Sequence, residues 1–187
     1  MKDRVSATGV ATVVLSAVLV AQGPLVLDQE SPADPGPIPF THAVGGPNQQ
    51  VISQTVTAGV SGRLRAVEVP MGCADGEVIL EIRDVDAAGQ PGPTLYFTDT
   101  YDVADFPSPV TDTFNRLRLN GMPVRFLAGD RFTISLGNPT GSCGIWPGPV
   151  GDPYPDGTGW AEGNDGPIVA LSVGTDRDDI PFRTFVR

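Results

Sequence analysis

The stretch Glu77 to Val85, EVILEIRDV, gives the clearest indication of how this chain folds. Its residues alternate so that Val78, Leu80 and Ile82 fall on one side of an extended backbone, with Glu81 among those on the other. This alternation is typical of an antiparallel strand that packs one face against a core and leaves the other in solvent. The stretch therefore predicts a β-strand with one buried face.

Similar strands follow along the chain in both directions. A turn rich in Asp, Gly and Pro leads into Thr94 to Thr100, which places Leu95 and Phe97 on one face. The other predicted strands are short and apolar or β-branched: Gln50–Thr57, Leu64–Val69, Phe114–Leu119, Arg131–Leu136, Ile168–Val173 and Ile180–Val186. No segment after residue 22 has a helical period. The pattern predicts an all-β fold, an antiparallel two-sheet β-sandwich, jelly-roll-like, of eight or nine strands.

Composition excludes several classes of function. The chain has 187 residues with 23 Gly and 19 Pro, which fits one globular domain with many turns. Its formal net charge is −10, and a surface of that sign disfavours nucleic-acid binding through phosphates. One His and two Cys supply too few ligands for a typical zinc site. We expect a monomer without a nucleic-acid partner.

The N-terminal 22 residues have the pattern of a secretory signal peptide. Lys2 and Arg4 precede the apolar run Val10 to Val20, and small or polar residues follow at Ala21 and Gln22. The apolar run is shorter than the roughly 20 residues that a membrane-spanning helix needs. We predict cleavage near residue 22 and a secreted, extracellular protein without a membrane span; the alternative is a retained N-terminal anchor.

Residues 23 to 47 are interpreted as a Pro-rich linker ahead of the β-sandwich domain, which is predicted to span 48–187. Six prolines and several acidic residues in this stretch show no strand or helix period, so we expect it to be extended and solvated. The only histidine, His42, is predicted to be exposed at the end of the linker. It has no evident partner for a role as a catalytic base.

The two cysteines, Cys73 and Cys143, are expected to form a disulfide because a secreted chain with two Cys favours pairing. They are 70 positions apart, and closing a loop of that length contributes at most about 4 kcal/mol to stability. Two reduced, buried thiols are the alternative. A catalytic Cys is disfavoured because the predicted domain contains no His to form its thiolate.

Four phrases carry a resemblance to a known family. They are Gly89–Leu95 (GQPGPTL), Phe126–Ile134 (FLAGDRFTI), Asp152–Trp160 (DPYPDGTGW) and Ile180–Val186 (IPFRTFV). In their order and spacing, the region from about Gln50 to the last residue resembles bacterial secreted β-sandwich, jelly-roll-like domains of cell-surface proteins, including choice-of-anchor proteins. The resemblance implies a sandwich displayed outside the cell, similar to carbohydrate-binding modules, and it supplies no catalytic residues.

The candidate ligand-binding residues lie in and just after the long connection from 137 to 159. Trp146, Tyr154 and Trp160 supply rings on which the apolar face of a sugar can pack. Carboxylates of Asp152, Asp156 and Asp165, with Glu162 nearby, can accept hydrogen bonds from its hydroxyls. The alternative is that the rings fold inward and close one end of the sandwich.

Acidic turn residues are the only candidate metal ligands. Asp84 and Asp86, with Asp99 and Asp102 nearby, can supply oxygens to a structural calcium ion at a sandwich edge. Their spacing is not that of a helix-flanked calcium loop, and simple hydration of the turn is the alternative. No other cofactor is indicated.

Together these features predict a secreted, non-catalytic binding or surface-interaction module whose ligand is a glycan or another extracellular polymer. A structural cell-surface protein without a small ligand is a competing interpretation. A glycoside-active enzyme is a further alternative, although no two of the 22 acids are singled out as facing each other.

Overall fold

A computed structural model describes residues 23–36, 41–121, 124–164, 166–173 and 176–187. The predicted signal peptide lies outside these residues. Fourteen strands are present in the described part: β1 (Val26–Ser31), β2 (His42–Gly45), β3 (Val51–Thr57), β4 (Gly62–Val69), β5 (Met71–Cys73), β6 (Glu77–Val85), β7 (Pro91–Asp102), β8 (Asn115–Arg118), β9 (Arg125–Phe126), β10 (Arg131–Gly137), β11 (Ser142–Ile145), β12 (Thr158–Glu162), β13 (Val169–Ala170) and β14 (Phe182–Val186).

The strands form two main sheets and a small third one. One sheet has the order β1-β14-β4-β8, with β9 also paired to β4, and the second has the order β13-β12-β3-β10-β6-β7. The third sheet, β2-β11-β5, has three strands. All of these strand pairs are antiparallel, so the predicted all-β, sandwich-like fold is confirmed, with more strands than expected. Short 3-10 turns lie at Gly46–Asn48 and Val103–Asp105. No helix in the described ranges is long and apolar enough for a bilayer span.

The core lies between the inner faces of the two main sheets. The inward residues predicted for β6, Val78, Leu80 and Ile82, are fully buried. The neighbouring strand β10 buries Phe132, and its Ile134 pairs directly with Ile82. Both strands alternate as their sequences predicted, because burial on one face requires every second residue to be apolar.

Strand β7 departs from the prediction that Leu95 and Phe97 share a face. Phe97 pairs with the inward Ile82, whereas Leu95 pairs with Arg83 on the outer face and is 44% exposed. The register shifts between these two pairs, so Tyr96 is the extra residue of a β-bulge. An extra residue reverses the alternation from that point on, which the sequence pattern alone did not indicate.

The region predicted to be a linker differs most from the sequence interpretation. It contains β1, which pairs with β14, and β2, which pairs with β11, so it forms part of two sheets. His42 on β2 is 6% exposed, and the prediction that it is exposed is wrong. Burial also lowers the pKa of His42 to about 4, with the nearby positive charge of Arg177 as a second cause.

The disulfide between Cys73 and Cys143 is confirmed. The two cysteines lie directly opposite each other on β5 and β11 in the small sheet. β11 also pairs with β2, and Val44 of β2 lies opposite Cys143 and is fully buried. The disulfide therefore links β5 to β11 within the small sheet, and β11 in turn pairs with β2 of the N-terminal segment.

Candidate functional site

A groove runs across the outer face of the six-stranded sheet. The strand order brings β12, β3, β10 and β6 side by side, and the register aligns their outward residues in rows. The central row crosses four strands and consists, in order, of Trp160, Ser53, Ser135 and Glu81, each paired with the next. An indole, two hydroxyls and a carboxylate thus stand on one line across four strands.

Two serines form the floor of this outer-face groove. The Ser53 hydroxyl donates to the Ser135 hydroxyl at 2.8 Å, and each residue is only 4% exposed although it points away from the core. Two adjoining cavities of about 280 and 340 Å³ lie above, and both are lined by Ser135, Glu81 and Glu162. Volumes of this size approach the lower range for small-molecule sites. One hydroxyl hydrogen of the serine pair has no acceptor among the described residues, and a ligand can accept it.

The indole of Trp160 is held in place from below and from one side. Its Nε1 donates to the Thr55 hydroxyl at 3.0 Å, and that hydroxyl donates to the Gly89 carbonyl at 2.8 Å. The turn that contains Gly89 therefore folds over the outer face of the sheet beside the ring. The half-buried indole lines one of the two cavities in a fixed orientation.

Charged groups flank the serine floor. The Arg83 Nε donates to a Glu81 carboxylate oxygen at 2.8 Å, and both side chains remain more than a quarter exposed. Glu162 lies one row away opposite Val51, and the apolar side of the groove is completed by Val51 and Ile79. A ring, carboxylates, a guanidinium and hydroxyls in one concave surface are the groups that contact the apolar faces and hydroxyls of a sugar.

Of the candidate ligand-binding residues named from the sequence, Trp160 and Glu162 lie in the outer-face groove. Tyr154 instead lies between the sheets at 4% exposure, and its ring packs edge-on against Phe182 with centroids 5.0 Å apart. The Thr57 N–H donates to its hydroxyl at 3.0 Å, and the hydroxyl donates to the Thr57 carbonyl at 3.2 Å. Tyr154 therefore corresponds to the alternative of a ring that fills the end of the sandwich.

The other loop residues are not brought into the groove. Trp146 is half-buried, and its Nε1 donates to the Asp34 carbonyl at 2.8 Å, which ties down the N-terminal segment. Asp152 and Asp156 are exposed in the connection before β12. Asp165 lies outside the described residues. The three predicted rings thus do not form one stacking surface.

A buried carboxylate, Asp179, organises the polar part of the core near Tyr154. It accepts hydrogen bonds from Gln54 Nε2 at 2.7 Å and from the Tyr154 N–H at 3.1 Å. Burial raises the pKa of Asp179 from 3.8 to about 6 against the effect of these hydrogen bonds, and the neighbouring Asp152 raises it further. This carboxylate acts on the fold because it is fully buried and does not line the groove.

The candidate calcium ligands have other partners. Asp86 accepts hydrogen bonds from the N–H groups of Ala88 and Gln90, both at 2.9 Å, and Asp84 accepts from the Thr94 N–H at 2.8 Å. These contacts are typical of aspartates that shape a turn. Within the described ranges, no three His, Cys, Asp or Glu side chains are grouped closely enough to hold a metal ion.

Sequence reasoning missed the serine pair and the pair formed by Glu81 and Arg83 as site residues. The available signal was their outward position on strands that alternate, since the sequence pattern already assigns Glu81 to the solvent face. Comparison of the chain with protein families and with curated proteins finds no match to either. The function of the chain is therefore inferred from the geometry of the outer-face groove.

Proposed function

We propose that this chain is a secreted, non-catalytic module that binds a glycan or another extracellular polymer in its outer-face groove. The proposal moves the binding surface from the loops at the end of the sandwich to the face of the six-stranded sheet. Trp160 supplies the stacking ring, Glu81 and Glu162 accept hydrogen bonds, and Arg83 donates them.

One observation carries this proposal: an oriented, half-buried indole stands in line with a buried serine pair and a carboxylate on a concave sheet face. A sheet face without a ligand is normally covered by exposed polar side chains and has no need of a fixed ring above buried hydroxyls. The resemblance to secreted β-sandwich domains of cell-surface proteins, the apolar N-terminal stretch and the disulfide support an extracellular setting.

The test compares two tryptophan variants on a glycan array and then by calorimetry with any polymer bound. Trp160→Ala is expected to weaken binding about tenfold or more, since aromatic anchors dominate binding surfaces. Trp146→Ala is the matched control, because it removes a half-buried indole outside the groove, and its affinity should stay within about twofold of wild type.

Glu81→Gln serves as a second variant that changes little volume, in case Trp160→Ala perturbs folding. It should reduce binding while the far-ultraviolet circular dichroism spectrum stays unchanged. A wild-type protein that binds no glycan or polymer would favour the structural cell-surface role instead. Hydrolysis of a bound polysaccharide, lost in Glu162→Gln, would contradict the non-catalytic assignment.

A further inference from the structure

A separate cavity, on the other main sheet, is lined by arginines. It has a volume of about 330 Å³ and lies where β4 and the end of β8 meet the last residue of the chain. Arg65, Arg118 and Arg187 line it together with Leu25 and Asn120. Among the residues that the structure describes, no acidic side chain lines this arginine cavity, although the chain carries 22 acidic residues against 12 basic ones.

Backbone pairing brings these arginines together from three separate segments. Arg118 on β8 lies opposite Ala66 on β4, and the Leu119 N–H donates to the Arg65 carbonyl at 2.9 Å. Arg187 exchanges two backbone hydrogen bonds with Arg63 on the same strand as Arg65. The sheet itself therefore fixes the spacing of the three residues, which no local sequence motif would do.

Two of the cavity arginines differ in their partners from four other arginines of the chain. Arg83, Arg116, Arg177 and Arg183 each form an ion pair with a carboxylate. Among the described residues, no carboxylate lies within ion-pair distance of Arg65 or Arg118. The Arg65 Nε is moreover buried without a hydrogen-bond partner in the described part of the chain. A buried donor without an acceptor is unfavourable, and an anion that pairs with the charge of the same guanidinium offsets part of this cost.

We propose that the arginine cavity binds an oxyanion, namely a phosphate or sulfate group. Guanidinium groups present donors in a planar fork that matches the oxygens of such groups, and they remain charged at all physiological pH values. Arg65 and Arg118 supply guanidinium groups from neighbouring strands, while the Asn120 amide offers a further donor. The arginine cavity and the outer-face groove lie on different sheets, so this proposal does not depend on the proposed function.

The experiment measures thermal unfolding and calorimetric binding of wild-type protein with inorganic phosphate and, separately, with inorganic sulfate. Sodium chloride at matched ionic strength is the reference, because screening alone also alters the stability of a charged protein. The proposal expects a saturable rise in Tm with at least one oxyanion and none with chloride. Comparison of the two oxyanions identifies which group the cavity prefers.

Two charge-removing variants assign the binding to this cavity. Arg118 is exposed, so the Arg118→Gln variant should fold normally. It should weaken oxyanion binding about tenfold, as expected for loss of a charge-assisted hydrogen bond. Arg65→Gln should weaken oxyanion binding by at least the same factor. Arg125→Gln is the matched control, since it removes one exposed guanidinium from β9 outside the cavity and should leave the affinity unchanged.

Two results would overturn the proposal. One is a wild-type protein whose Tm responds no more to phosphate and sulfate than to chloride. The other is an oxyanion affinity that falls equally in Arg125→Gln and Arg118→Gln, because that would indicate a general effect of net charge. Sulfate and phosphate binding with wild-type affinity in both cavity variants would place the ion elsewhere and contradict it equally.

Discussion

Asp179 shows how one buried residue can make the stability of this fold depend on pH. In the folded protein its pKa is raised to about 6 by burial, while in the unfolded chain it returns to about 3.8. Between these values the folded state binds the proton more strongly than the unfolded state. The stabilising effect is therefore complete below pH 4 and is lost as the pH rises through 6.

The corresponding prediction compares wild type with Asp179→Asn, which cannot titrate. Lowering the pH from 7.5 to 4 should increase the free energy of unfolding of wild type relative to the variant by on the order of 2 kcal/mol. Urea unfolding at several pH values measures this difference, and the other carboxylates cancel in the comparison. If the free energy of unfolding depends on pH in the same way in both proteins, the raised pKa of Asp179 is contradicted.

The hydroxyl of Tyr154 gives a second prediction at this scale. Tyr154→Phe keeps the ring against Phe182 but leaves the Thr57 N–H without its acceptor. We expect a loss of about 1 to 3 kcal/mol in the free energy of unfolding, because an unsatisfied backbone donor in the protein interior is costly. Denaturant unfolding measures it, and Tyr96→Phe is the control, with an expected change under about 0.5 kcal/mol. Glycan binding should be unaffected by Tyr154→Phe.

At the scale of elements, strands with a strict alternation could be predicted and strands that depend on their neighbours could not. β6 was predicted with its observed bounds and β10 to within one residue, because each buries one whole face. β1 has the sequence VLDQES, with polar residues at most positions, and it exists because β14 offers an edge to pair with. β2, with the sequence HAVG, is too short to show a period and is held by β11.

These two strands lead to a prediction about the domain boundary. A chain that starts at residue 48 lacks β1 and β2, and it also lacks Asp34, whose carboxylate pairs with the buried guanidinium of Arg177 at 3.1 Å. Loss of one partner of a buried ion pair alone costs about 3 kcal/mol or more. We expect this chain to be less stable by at least that amount than one that starts at residue 23, as measured by urea unfolding. Equal stability would restore the linker interpretation.

At the scale of the whole molecule, the candidate site depends on sheet order, and this is why the sequence identified only part of it. Ser53, Ser135 and Glu81 are unremarkable outward residues in their own strands. They form the outer-face groove only because β3, β10 and β6 are neighbours in this register. The sequence singled out Trp160 as a candidate stacking ring but grouped it with Tyr154 by proximity along the chain.

The disulfide between Cys73 and Cys143 is predicted to stabilise the molecule as a whole. Replacing Cys73 and Cys143 together by Ala should lower the free energy of unfolding by about 2 to 4 kcal/mol, since a long loop of the unfolded chain is released. Denaturant titration of the double variant measures the loss. In the presence of a reducing agent, the free energy of unfolding of wild type should match that of the double variant. If the reducing agent also destabilises the double variant, the loss of stability is not due to this disulfide.

The pairing of β1 with β14 has a consequence for how the molecule is made. Gln29 and Thr184 are hydrogen-bonded although 155 positions separate them. β1 therefore has no partner strand until β14 has been synthesised, and pairings between positions so far apart in the chain form slowly. The five-stranded sheet can therefore be completed only after the rest of the described strands have been made, so β1 and the edge of β14 meet late in folding.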